Sequence, residues 1–393
     1  MRVAVVGAGL GGLLAAANLL ERGYKVDVFE KLPFNGGRFT NFHYKGYEIS
    51  TGALHMIPHG SKGPLAKMLR KVGAKVEIVD SKPNGTALYR GEEIKVSKKT
   101  FPLKSRLKFA LYCLKNVFRE VKLSELEKNL DEFSAKFLRA FLGWSLSLTP
   151  SQLSLSDVYP IYEATYTLGG PGIPIGGCKA VVDALLEVME SYDCRVKREK
   201  VRAIRMESYG LSLHFRNTSE RFDAVVSDAG PVETYRLAGL NVPKLEESRG
   251  IKYSIALKEP LIDHTGVMFT LDTRRICGVN QVTNADPNLG ERHFLMAHQP
   301  MITSNVKFEI AEGLKDLKEI LKGYEYEVLV IQSFSDGWPV NRARAGRDCS
   351  NETPVKSLYM VGDGAKGEDI EVDGIAIGVE RVVKEIEKEV EKR

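Results

Sequence analysis

Glutamine is nearly missing from this chain, with four in 393 residues, while lysine and glutamate are plentiful. That bias is seen in heat-adapted proteins and sets the expectation of a thermostable one. Five cysteines (Cys113, Cys178, Cys194, Cys277 and Cys349) are scattered with no C-x-x-C pair. This argues against a disulfide framework and a zinc site, and it predicts a reduced, cytoplasmic protein. Seven histidines show no ligand spacing either, so no metal is expected. Uncharged runs are equally scarce. Val3 to Leu20 spans eighteen residues without a charge, which only just reaches the length of a membrane-spanning helix. Gly7, Gly9, Gly11 and Gly12 interrupt it and would weaken such a helix. A secretion signal would need an early basic region and a small-residue cleavage site, and here the chain runs on into a second strand-like segment.

What is present in that run is a βαβ unit. Val3 to Val6 reads as a buried parallel strand, Gly12 to Arg22 as a helix stopped by Gly23, and Val26 to Phe29 as the next strand. The glycines fit the pattern Gly7-x-Gly9-x-x-Gly12. Gly7 permits the tight turn, Gly9 lets a pyrophosphate approach the backbone, and Gly12 lets helix and strand pack closely. The helix N-terminus then faces the negative charge. Glu30 ends the second strand where a carboxylate can accept hydrogen bonds from the adenosine ribose. An acid there disfavours a 2′-phosphate, so NADP is not expected.

Charge is uneven. Residues 61–122 carry sixteen Lys and Arg against five Asp and Glu, a surplus of 16 − 5 = 11 in a chain whose net charge is +5. Within this stretch the segment 100–122 reads as a basic amphipathic helix, with Lys104, Arg106, Lys108, Lys115 and Arg119 among Phe, Leu and Tyr. Such a helix either buries its apolar face inside the protein or makes peripheral contact with an anionic membrane. No nucleic-acid module or stacking pattern accompanies it.

Along the chain, Gly36, Gly37 and Arg38 follow the second strand directly, and helices are predicted at 104–119, 124–129 and 131–146. Dinucleotide-fold character returns at a Gly/Pro loop leading to a helix near 178–191 and strands around 194–198 and 201–204. The strand "DAVVSDAG" follows, and the segment "LYMVGDG" opens the closing strand, loop and helix. Composition therefore predicts an α/β protein: a discontinuous Rossmann-like domain of residues 1–60, 169–230 and 351–393, and a second, α+β substrate domain of residues 61–168 (helical and basic) and 231–350.

Taken together, "VGAGLGGLLAAANLLERGYKVDVFEK", "GGR" and "LYMVGDG…DGIAIGVE", in this order, resemble the FAD-dependent amine oxidoreductase superfamily. "PIGGCKAVVDAL" is similar to its phytoene desaturase branch. The resemblance implies noncovalent FAD, since no cysteine lies in the closing segment. It implies a phosphate loop of Gly7, Gly9, Leu10, Gly11 and Gly12, with Glu30 and Lys31 at the ribose. Gly36, Gly37 and Arg38 would follow the diphosphate and flavin edge, and the Val201 backbone would meet adenine. Gly362 and Asp363 would lie at the ribityl region. The helix beginning near Gly374 and Ile375 would offer free N–H groups to the reduced flavin.

The loop before that helix, "GEDIEVDG", lacks the aromatic wall of amine oxidases. The expected chemistry is therefore hydride removal from an apolar substrate, isoprenoid or tetrapyrrole, with a flavin amine oxidase as the alternative. A non-enzymatic carrier of apolar or prenylated ligands, like the Rab GDP-dissociation inhibitor, is the reading of another class. Candidate catalytic side chains are His55, Lys366 and Glu371, with His59 and Glu368 nearby, each also explicable as packing or a solvated loop. Trp144, Tyr159, Tyr162 and Tyr166 are candidates for lining a substrate tunnel or, as plainly, for the core. The electron acceptor is unknown from sequence.

Overall fold

Val3 to Val6 are all buried, and a strand with both faces covered belongs at the centre of a parallel sheet. In the computed structural model, which describes residues 1–116 and 119–391, that is its place. Five parallel strands lie in the order Leu358–Met360, Ala224–Ser227, Arg2–Val6, Lys25–Phe29 and Val196–Lys197. One face is covered by the helices Leu10–Glu21, Gly177–Ser191 and Glu371–Glu391, whose Leu14, Leu185 and Val379 share a core with Val3 and Val5. The other face packs on a three-stranded antiparallel sheet through Phe29, Phe215 and Phe222. Every strand of the main sheet ends its carboxyl side toward one crevice, the place where open α/β sheets bind ligands.

A second, seven-stranded sheet runs in the order 326–334, 250–257, 293–300, 278–281, 267–270, 85–89 and 92–95. Within residues 231–350 four successive strands come between the helices Pro231–Leu237 and Val306–Ile320. The basic stretch is less helical than expected. Its hairpin of Gly85–Tyr89 and Glu92–Lys95 joins this sheet, with Gly85–Leu88 parallel to Val267–Thr270. The helix Pro64–Lys71 packs Leu65, Met68 and Leu69 into the core of the first sheet. Helices Leu103–Asn116, Leu123–Glu127, Glu132–Leu146 and Leu155–Leu168 cap the second sheet and wall the space between the two sheets. Residues 117 and 118 of the expected helix at 104–119 lie outside the described residues. Among the described residues no helix is long and apolar enough to cross a membrane.

Candidate active site

One cavity, of about 1330 Å³, begins at the loop between the first strand and helix and continues between the two sheets. At the loop, Gly7 takes φ +103°, a turn that a side chain would strain. The helix Leu10–Glu21 starts without a side-chain cap from Gly9 and without an acid in its first turn, so its first N–H groups make an anion seat. A methyl on Gly12 would overlap the Gly7 carbonyl oxygen, so glycine is required there for helix and strand to approach. Glu30 lines the cavity and accepts hydrogen bonds from the Ala8 and Leu32 N–H groups, both at 2.7 Å. It thereby ties the end of the second strand to the loop.

Next along the wall, Arg38 donates to the Val340 carbonyl at 3.0 Å, to the Pro339 carbonyl and to Asp363. Asp363 also accepts from the Arg342 N–H at 2.8 Å and from Lys366 at 3.3 Å. Burial would raise the Asp363 carboxyl, but Arg38, Lys366 and Arg342 outweigh it and hold the group well below the usual carboxylate range. Lys366 Nζ donates to Asn341 at 3.1 Å, and Asn341 Nδ2 donates to Glu371 Oε1 at 3.0 Å. Burial raises the Glu371 carboxyl against the pull of Lys366. Burial would lower the Lys366 ammonium, and the carboxylates Asp348, Asp363 and Glu371 more than restore it. Beyond this polar wall the lining is apolar, with Phe137, Phe141, Trp144, Phe269, Phe334 and Ile370.

These residues fit a dinucleotide with a planar ring system: a backbone anion seat, a carboxylate at the end of the second strand, a cationic wall and an apolar chamber. Residues 5–83 match the family of NAD(P)-binding Rossmann-like domains. Over its whole length the chain is 44% identical to protein MJ1488 of Methanocaldococcus jannaschii, covering 98% of each. It is 41% identical to an oxidoreductase from Methanosarcina mazei of known crystal structure, covering 98% of this chain and 100% of that one, with a TM-score of 0.90. A zeta-carotene desaturase of Solanum lycopersicum is 35% identical over 104 residues, 26% of this chain and 17% of that protein. A putrescine oxidase shares the fold at 17% identity and a TM-score of 0.71. The chain belongs to the family of the two archaeal proteins. It is an oxidoreductase of the FAD-dependent amine oxidoreductase superfamily.

In this superfamily member the residues expected at the cofactor divide into two sets. Gly7, Gly9, Leu10, Gly11, Glu30, Lys31, Gly36, Gly37, Arg38, Val201, Asp363 and Ile375 line the cavity. Gly12, Gly362 and Gly374 lie behind its wall. The closing helix begins at Glu371, so Gly374 falls in its first turn and its N–H donates to the Ile370 carbonyl at 3.0 Å. A free N–H at Gly374 was expected and is not there.

The histidines also differ from expectation. His55 is fully buried, accepts from the Ser50 N–H at 3.2 Å and packs edge-on to Phe294, away from the cavity lining. Burial and the nearby Lys252 lower its pKa well below the usual histidine value, so it is a neutral core residue rather than a catalytic one. His59 bonds Asp369 at 3.1 Å and the Gly169 carbonyl at 3.2 Å, and its own N–H donates to Asp373. It fastens the loop to the closing helix. Glu368 is an exposed partner of Arg381, while Lys366 and Glu371 line the cavity. Trp144 is buried in the chamber wall, and Tyr159, Tyr162 and Tyr166 stand at its exposed rim.

Sequence reasoning missed Arg342, half-buried beside Asp363, and gave no role to Asp228, which also lines the cavity. The position of Asp228 at the carboxyl end of a central parallel strand was the available signal.

Proposed function

We propose that the protein binds FAD noncovalently and removes hydride from a long apolar substrate of isoprenoid or tetrapyrrole type. The observation that carries this reading is the continuity of one cavity from the phosphate loop to a chamber walled by Phe137, Phe141, Trp144 and Phe269. The N–H groups of the first helix would hold the diphosphate, Glu30 the ribose, the Val201 backbone the adenine, and Arg38 the flavin edge. Bound flavin supplies the hydride acceptor. The chain's own work is to orient the substrate in the chamber, exclude water and receive the proton released as a double bond forms. Glu371 is the side chain placed to receive that proton, because it is acidic, lines the chamber and has its Oε1 held by the Lys366–Asn341 relay. It also has φ +48°, an uncommon conformation for glutamate that turns it at the first residue of the closing helix.

Substrate entry follows from the rim. Leu103, Leu107, Leu111 and Leu114 are 66%, 55%, 55% and 80% exposed, so one leucine face of the helix Leu103–Asn116 is left uncovered. Lys104, Arg106, Lys108 and Lys115 stand on the same helix, and Leu103 and Leu107 line the cavity. We take this face to rest on an anionic membrane surface from which an apolar substrate reaches the chamber.

The test is anaerobic mixing of the flavin-loaded protein with polyisoprenoid, porphyrinogen and amine panels. Bleaching of the flavin by an apolar substrate is the expected result. Bleaching by amines alone would replace this reading with an amine oxidase.

A further inference from the structure

Asp228 stands where the diphosphate is expected. It ends the strand Ala224–Ser227, beside the strand Arg2–Val6, and it lines the cavity. Its carboxylate lies across the phosphate loop: a methyl built on Gly9 or Gly362 would overlap one of its oxygens, and one on Gly11 would come within 2.8 Å. The Gly12 N–H favours its charged form. In this structure, then, a side-chain anion occupies the seat that the helix N-terminus and the glycines make for a phosphate. The strand on which it sits is central, and its backbone N–H is bonded to the Val6 carbonyl, so the residue is held in place.

We propose that Asp228 couples cofactor binding to pH: the FAD complex forms with this carboxyl neutral, so the free protein at alkaline pH takes up one proton from solvent as the diphosphate arrives. This rests on the FAD reading above. The carboxylate Oδ gains the proton, the buffer loses it, and no other bond changes.

The groups facing Asp228 agree. From the end of the second strand comes Glu30, from the GGR loop Arg38, from the segment 339–342 Arg342, and beyond them stand Asp363 and Lys366. The helix side presents only backbone N–H. Burial pushes the Asp228 carboxyl up to about 7, against the Gly12 N–H and the two arginines and with the help of Glu30. Two phosphate charges beside it push further in the same direction. The sign follows. Below about pH 7 Asp228 is already neutral in the free protein, and binding needs no proton. Above it, affinity falls by up to tenfold per pH unit until the carboxyl of the complex itself ionises.

Calorimetric titration of the flavin-free protein with FAD, in two buffers of different ionisation enthalpy, counts the protons. About one proton taken up at about pH 8 and almost none at about pH 5.5 is the expected result. Asp228→Asn should take up none, and its affinity should not fall between those values. Should that variant fail to fold, Asp228→Ser serves as the second: it is also uncharged, and it too should take up no proton at about pH 8. FAD binding with no net uptake at about pH 8 would overturn the inference and leave the FAD reading intact. No FAD binding at either pH would overturn both.

Discussion

Replacing Gly12 by alanine separates cofactor binding from stability. A methyl at Gly12 overlaps the Gly7 carbonyl oxygen and would also meet Gly7 C at 3.1 Å and Asp228 Cβ at 3.2 Å. Two of these atoms are backbone and the third adjoins it, so no flexible tip can move aside. Restoring van der Waals contact requires the loop to retreat on the order of 1 Å. Overpacking of this kind costs about 1–3 kcal/mol, and alanine returns about 1 kcal/mol through its better helix propensity. The net loss of stability is about 0–2 kcal/mol, a fall in Tm of only a few degrees. Binding fares worse. Each loop N–H bond to a charged phosphate is worth about 1.5–3 kcal/mol, so losing one weakens FAD about ten- to hundredfold.

Gly73→Ala is the control. Gly73 has φ +80° and nothing within 4 Å of an added methyl, so alanine there costs about 1–2 kcal/mol of backbone strain and leaves the loop alone. FAD titration and thermal melting of both variants should show opposite patterns. Gly12→Ala binding FAD within about twofold of wild type would show that the loop does not depend on this glycine.

Two further outcomes follow from named contacts. Leu107→Glu with Leu111→Glu should abolish sedimentation with anionic vesicles and leave Tm unchanged, because both leucines are more than half exposed. Wild-type binding should also weaken with salt, and equal binding by the double variant would remove the membrane proposal. Asp363→Asn should cost about 3–5 kcal/mol at pH 7 by stranding Arg38, Arg342 and Lys366. Because the folded carboxyl is depressed, its contribution is fully present above the unfolded pKa near 4 and declines as pH falls below it. Urea unfolding should therefore show the gap between variant and wild type shrinking by about 1 kcal/mol at pH 3. A gap that grows in acid would contradict the ion pairing.

The two ends of the chain were readable because their signals are local. Glycine spacing, an acid at the end of a strand and an uncharged run specify a turn, a helix start and a buried strand within thirty residues. The second sheet was less legible. Gly85–Leu88 pairs with Val267–Thr270 across about 180 residues, and no short window carries that information. His55 sits in a glycine-rich loop of ordinary appearance, and only the cover of Phe294 and the second sheet makes it core. The start of the closing helix was placed three residues late. Glu371 begins it in a left-handed conformation, which sequence assigns to glycine, and Gly374 was the nearest glycine to read as the boundary. Asp228 looked like the tail of a strand, because its meaning depends on Gly9, Gly11 and Gly362 converging on it from two distant segments.

The flavin proposed at the glycine loop is to be sought in the visible spectrum of the purified protein incubated with FAD, desalted, then denatured. Flavin bands should survive desalting, bleach on anaerobic reduction and leave with the chromophore, identified as FAD, when the protein unfolds. A protein that stays colourless after excess FAD would contradict this proposal.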